Sequence, residues 1–538
     1  MRKKLFMLIS LFLLISSFIL INQFQLKNFA VFNTVNPKYA EEVKESLRKA
    51  EELGFTALLC NEVRVPFDDA ANTFYVPLDM EEEQWEKLEF ISGQPEYQIL
   101  FEKDITNEVK SDVIAGGDRF ALLVFDEECW AEYYVTFTGL PIIDLATNEG
   151  FYSAEQITGT AMFYDTDFTL RGTQQSEYHG HIRGNTSRMF PKKGYKMNLI
   201  SRNADGTTVL NKLSLFGMRK DDDWILHALY NDDTKIRDRL SMQVWDTYGA
   251  GTVSPNGYYG PKMIYVEVFA DNSYCGLYGL MEPVDAKQMD LTEKDYSYKR
   301  KNPGSIKYHY TDFNEAKDPY AEVQGFEIKE GPVDKNIYFW EPMANLAAVL
   351  TLSDEEFLEQ EYGMINEENA LKLWLFIQII TGYDHITKNV YYIAKYNEDS
   401  TFDYEFYFAP WDMDLTWGRV SVGEVNSVYT DFEWESVHDR IVWDVGNKLL
   451  KTNYHHAREY VTELYEELRS TVLTDEAIEE MVFEMDVQLR NSGAFARDKE
   501  RWPDGVHAQD CSELVEYAKE RLAYLDEALY NSEYYYDE

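Results

Sequence analysis

Residues 369–380 read Asn-Ala-Leu-Lys-Leu-Trp-Leu-Phe-Ile-Gln-Ile-Ile. As a helix this segment is apolar nearly all round, with only Lys372 and Gln378 as polar interior positions. A helix of that kind must be enclosed on every side, so the rest of the chain has to supply the walls. It has the means: 538 residues suffice for two or three domains, and 45% hydrophobic with 27% charged residues is a globular composition.

The order of elements around that helix predicts the fold class. Asn36 as N-cap, Pro37 as first residue and Gly54 as stop predict an early helix. Strand-like runs follow, such as Phe120–Phe125 and Tyr133–Phe137, and residues 28–150 read as a small α+β accessory domain ending near Asn148-Glu149-Gly150. Strands are then expected at about 157–171, 179–184 and 194–200, a helix over Thr234–Tyr248, and a hairpin of Tyr265–Phe269 and Tyr274–Met281 turning at Asp271-Asn272. A polar, less regular stretch covers roughly 286–335, and helices with acidic faces occupy 455–530. A β-rich half before an α-rich half predicts a bilobal α+β domain over 151–532. The tail at 533–538, with Tyr534-Tyr535-Tyr536 between acids, reads as a disordered terminus or a tyrosine-phosphorylation site.

Arg2, Lys3 and Lys4 precede an apolar run from Leu5 to Ile21. Residues 1–27 therefore read as a signal peptide or a retained N-terminal anchor, with the remainder exported. Any membrane contact is expected through this segment alone. Cys60, Cys129, Cys275 and Cys511 form no C-x-x-C pair, which leaves up to two disulfides or plain buried thiols. The net charge is −44. A field of that sign repels phosphate backbones and argues against nucleic acid as a partner.

One segment reverses the sign. Residues 183–196, Arg-Gly-Asn-Thr-Ser-Arg-Met-Phe-Pro-Lys-Lys-Gly-Tyr-Lys, carry five cations and no acid. Backbone N–H groups of a Gly/Asn/Thr/Ser turn, flanked by Arg and Lys, suit a polyphosphate. The alternative is a solvated basic hairpin that pairs with surplus surface carboxylates. The Walker A pattern is absent.

A second constellation is acidic. Asp384 follows the enclosed helix, Asn389 follows Asp384 at D-x-x-x-x-N spacing, and Pro-Trp-Asp-Met-Asp occupies 410–414. A hairpin centred near Asp399 would place Asn389 opposite about residue 409, bringing Asp384, Asn389, Asp412 and Asp414 to one ribbon end. Oxygen ligands of this kind suit Mg²⁺ or Mn²⁺. His385 reads as structural, and Trp411 and Trp417 as core. A basic grip with an acidic metal site implies nucleotide–metal chemistry, and D-x-x-x-x-N is the spacing protein kinases use for catalytic base and metal-binding amide.

Four segments in order, Arg183–Arg188 with Phe190–Lys193, Asp233–Asp238, Val266–Val268 through Gly276–Tyr278, and Pro410–Asp414, resemble the CotH spore-coat kinase family over roughly 155–530, including Arg497–Trp502. The resemblance implies an atypical protein-kinase-like fold that binds ATP with Mg²⁺ or Mn²⁺ and phosphorylates secreted or cell-surface proteins. It implies Asp384 as catalytic aspartate, with Asp412 and Asn389 as metal ligands supported by Asp414. Arg183, Arg188 and Lys193 would contact phosphates. Lys196 would be the phosphate-binding lysine, with Lys192 and Lys193 as rivals, and Glu282 would open a hinge. The sequence lacks the kinase G-x-G-x-x-G, H-R-D and D-F-G motifs and any Gly- or Gln-rich coat-like tail, so the expected setting is an extracellular bacterial surface. Two other functions fit parts of the sequence: a non-catalytic surface or adhesion protein on the same fold, and a carboxylate-pair glycosidase, which leaves the basic segment unexplained.

Overall fold

The computed structural model describes residues 29–31 and 37–535, apart from 79–87, 104–107, 149, 153–154, 168–171, 254–259, 303–305, 334–337, 360–362, 387, 420–437 and 439. The leader expected at 1–27, like Asn36 and Tyr536, lies outside the described residues. Among those described, no helix is long and apolar enough to cross a membrane.

The N-terminal unit has two helices, Pro37–Ser46 and Lys110–Gly116, and two sheets of four and six strands, with Pro37–Ser46 packed on the six-stranded one. The helix ends well before Gly54. Arg48–Lys49 leave it to pair in parallel with Cys129–Trp130, with Lys49 seated 5.0 Å over the Trp130 ring. Tertiary pairing overrides the cap signal here.

The next portion closes on itself. Strands Thr173–Arg183, Gln156–Tyr164, Ile142–Thr147, Met263–Ala270, Ser273–Met281, Asp223–His227 and Gly194–Arg202 pair in that order, and Arg183↔Gly194 through Glu177↔Ile200 joins the last to the first. The result is a seven-stranded barrel with no open edge. Its interior is filled by Tyr178, Met197, Trp224, Val266, Leu280 and their neighbours. The hairpin at 263–281 follows its expected turn. Ile142–Thr147, before the expected boundary at 148–150, is a barrel stave.

The remainder is mixed. Phe326–Glu330, Tyr296–Arg300, Val390–Tyr396 and Tyr404–Pro410 form a four-stranded antiparallel sheet in that order. Two of these strands come from 286–335, expected to be irregular. They are five residues each, carry charges between their apolar positions, and lie too far apart in sequence to announce a hairpin. Helix Glu367–Ile379 is enclosed as predicted. Lys372 escapes to Glu368 at 2.7 Å, and Gln378 is satisfied by both Ile441 main-chain groups at 2.7 and 3.1 Å. Helices Ala457–Arg469, Asp475–Asn491, Ala494–Arg501 and Ser512–Ala528 complete the chain. The α+β class therefore stands, with a closed barrel as its β-rich part.

Within the tail, Tyr534 and Tyr535 depart from both readings, and residues 536–538 lie outside the described residues. Tyr534 and Tyr535 are buried beside Trp374, and their hydroxyls donate to Gln378 Oε1 at 3.0 Å and Leu529 O at 2.7 Å. Aromatic burial holds these two residues in place, and neither hydroxyl is presented as an acceptor.

All four cysteines are buried free thiols, not disulfides. Burial pushes the Cys275 thiol up to about 12. Native protein at pH 8 is therefore expected to resist a chromogenic disulfide reagent for hours and to release four equivalents only on unfolding.

Candidate functional site

The hairpin that carries the acidic constellation pairs Val390 with Pro410 and Tyr396 with Tyr404. Its centre is residue 400, one beyond the expected centre, so Asn389 faces Trp411 instead of 409; Trp411 N donates to Asn389 O at 2.9 Å. A two-residue shift preserves which face each side chain takes, and the predicted convergence survives. Asn389 and Asp412 have φ of +62° and +59°, a left-handed conformation that Asn and Asp tolerate best among non-glycine residues. Asn389 Nδ2 donates to Asp412 O at 3.3 Å, which leaves its Oδ1 to accept or ligate. Asp384 sits in a short 3₁₀ turn, Tyr383–Ile386, directly after the enclosed helix. Lys388 Nζ lies 2.8 Å from its carboxylate.

These residues form one wall of a cleft. The other wall is the barrel end: Arg183, Gly184, Asn185, Ser187, Gly194, His227 and Asn231. Gly184 is required in the loop, since it has φ +98° and a Cβ there would sit 1.9 Å from Ser187 Oγ. Arg183 stacks 5.5 Å from the Trp411 ring, joining the walls. The cleft holds a cavity of about 150 Å³. That space has room for phosphate groups.

Of the other predicted basic residues, Lys192 borders the cleft and Arg188, Lys193 and Lys196 do not. Arg188 pairs with Glu155 at 2.7 Å, and Lys196 with Asp223 at 2.9 Å. Lys193 donates to Arg188 O at 2.6 Å and to Phe190 O, closing its own loop. Lys192 is buried against Asp498. Glu282 is buried, accepting from Arg219 N at 3.2 Å and Gln288 Nε2 at 2.8 Å. For Arg188 and Lys196, pairing with surplus carboxylates describes the structure.

Other charged groups, given no role in the sequence reading, lie in or beside the cleft. Lys299, on a strand in the stretch expected to be irregular, sits 5.4 Å over Trp411 and 5.5 Å over Tyr391. Burial first, then Arg183, lower its ammonium to about 8. His227 Nε2 lies 2.9 Å from Asp238 Oδ2, and Asp238 Oδ1 accepts from Met413 N at 2.8 Å. Burial opposes protonation of His227, but Asp238 and Asp414 hold its pKa above the usual value. Lys388 was legible in D-x-x-x-x-N as the residue before the Asn, and Asp238 as the end of the Asp233–Asp238 segment; Lys299 and His227 carried no local signal.

The two aspartates of the acidic loop are driven apart. Burial would raise Asp412, but Arg183, His227, Lys299 and Lys388 bring it below the usual carboxylate range. Asp414, next to Asp412 and Asp238 and buried, is pushed up to about 8, and Asn231 Nδ2 donates to it. Among the described residues no group of three or more His, Cys, Asp or Glu side chains is disposed to hold a metal. Asp384, Asn389, Asp412 and Asp414 nevertheless line one cleft together.

Asp414 sets a pH dependence. Its folded pKa lies above the unfolded value near 4, so between about pH 4 and 8 the folded form binds a proton that the unfolded form has lost. Its contribution to stability falls as pH rises through that window and is flat above it. Without added metal, Asp414→Asn is expected to reduce the fall in Tm between pH 6 and 8 by ~2–4 °C in a thermal-shift series.

Comparison with known proteins agrees with this part of the chain. The sequence model described as CotH kinase protein matches residues 181–525. Inner spore coat protein H of Bacillus subtilis (strain 168) is 23% identical over 274 residues, covering 46% of this chain and 68% of that protein. The match begins two residues before Arg183 and so includes both walls of the cleft.

Proposed function

The chain belongs to the CotH kinase family, and on that premise we propose that it is an exported protein kinase of a bilobal, kinase-like design that transfers the γ-phosphoryl group of ATP to a hydroxyl of a secreted or surface protein. One observation carries the reading: Arg183 and the Gly184–Ser187 loop face Asp384, Asn389 and Asp412 across a single cleft. The loop N–H groups and Arg183 hold phosphate oxygens, and Lys388 offers a cation beside them. Asp384 takes the proton of the acceptor hydroxyl as that oxygen bonds to the γ-phosphorus and the bond to the β-phosphate oxygen breaks, releasing ADP. Asp412 and Asn389 would hold Mg²⁺ or Mn²⁺, with Asp414 beside them; such an ion, when bound, neutralises phosphate charge. A spore-coat relative supports a surface setting.

The Lys388–Asp384 pair favours a second reading, since a base already bonded to an ammonium is poorly placed to accept a proton. On that reading the protein is a non-catalytic surface ligand. Calorimetric titration of ATP without metal and with Mg²⁺ or Mn²⁺ separates the two. The kinase reading expects metal-dependent binding that weakens at least ~10-fold in Asp412→Ala. Folded protein that binds no ATP with either metal overturns it.

A further inference from the structure

The basic loop is held from an unexpected direction. Lys192, within the Pro-Lys-Lys sequence, has no exposed side-chain surface, and its ammonium bonds Leu277 O and, at 2.6 Å, Asp498 Oδ1. Asp498 belongs to helix Ala494–Arg501, 306 residues further along the chain. Its carboxylate is crowded: Oδ1 also accepts from Leu277 N at 3.0 Å, while Oδ2 lies 3.4 Å from His507 Nε2 and 3.9 Å from Lys235 Nζ. The barrel makes room for it at Gly276, where φ is +112° and a Cβ would stand 2.6 Å from Oδ1.

Lys235 leads to the opposite wall. Its ammonium also donates to Val506 O at 3.0 Å, and Ala508 N donates to Asp233 O at 2.8 Å, so 506–508 grips the 232–238 segment. That segment holds the acidic loop: Asp238 accepts from Met413 N, and Asp233 pairs with Arg419 at 3.2 Å.

We propose that Asp498 is a positioning residue, the point at which the C-terminal helices set the spacing between the basic and acidic walls of the cleft. It touches no substrate. It acts through Lys192 on residues 183–194 and through Lys235 on residues 232–238 and 411–419. Its effect on nucleotide use rests on the kinase reading; the brace itself does not.

The test has two arms on the purified full chain. In hydrogen exchange without nucleotide, Asp498→Asn is expected to speed exchange ~10-fold or more in peptides covering 184–194 and 411–419, with peptides over 120–138 unchanged. Lys192→Met, which cuts one arm only, is expected to affect 184–194 alone, and it serves if Asp498→Asn does not fold. Unchanged exchange in 184–194, or a rise everywhere, overturns the brace. In the kinetic arm, Asp498→Asn is expected to raise KM for ATP ~10-fold while kcat falls less than ~3-fold. Exchange that loosens locally with KM unmoved overturns the positioning role. A wild type that uses no ATP defeats the kinase reading and leaves the exchange arm to decide the brace.

Discussion

Asp384→Asn is expected to lower phosphotransfer ~10²–10⁴-fold while leaving ATP affinity within ~3-fold of wild type. The magnitude is that of a positioned proton acceptor, and the asymmetry follows from placement. Asp384 reaches the cleft from the 3₁₀ turn on the helical side and pairs with Lys388, whereas the donors proposed to hold phosphate come from the barrel end. Asn keeps the size and a bond to Lys388 but takes no proton. Incorporation of labelled phosphate into a surface-protein extract, beside calorimetric ATP binding, checks both halves. Full retention of transfer would remove Asp384 from the reaction.

The second large effect concerns stability. Arg497 forms a bidentate pair with Glu267 at 2.9 and 2.7 Å, and both are buried. Tyr274 OH donates to the same carboxylate at 2.6 Å, and the guanidinium lies 5.9 Å from the Tyr75 ring. Tyr75 is from the N-terminal unit, Glu267 and Tyr274 from the barrel, and Arg497 from the C-terminal helices. One ion pair thus joins three parts of the chain. Arg497→Met would leave Glu267 charged and unpaired inside the protein, at a cost of ~3–5 kcal/mol. Arg202→Met, whose partner Glu177 lies at the surface at 2.8 Å, is expected to cost less than ~1 kcal/mol. Urea unfolding of the two variants makes the comparison, and adding Glu267→Gln to Arg497→Met should recover part of the loss.

Much of the helical framework and of the acidic wall was legible because it rests on local rules. Helix 367–379 announces its enclosure through apolar residues on all faces, and the hairpin after it through period-two runs about a polar turn. That hairpin is why residue spacing alone groups Asp384, Asn389, Asp412 and Asp414, and why a misplaced centre does no harm. The basic wall was legible only in part. Charge reversal marks residues 183–196, but which of five cations faces the cleft depends on what lies opposite each strand position. Asp223 claims Lys196, Glu155 claims Arg188 and Asp498 claims Lys192, leaving Arg183 among those predicted to face Trp411.

What the sequence by itself determined was the α+β class, the enclosed helix, the acidic ribbon end and the family. These follow from periodicity, turn chemistry and ordered motifs, all short-range along the chain. Tertiary structure alone decided that the β-rich portion closes into a barrel, that the stretch around Lys299 becomes a strand, and that Lys192 answers to Asp498. Each of these depends on pairing between residues distant in sequence, where burial and charge complementarity choose the partner and no local pattern records the choice.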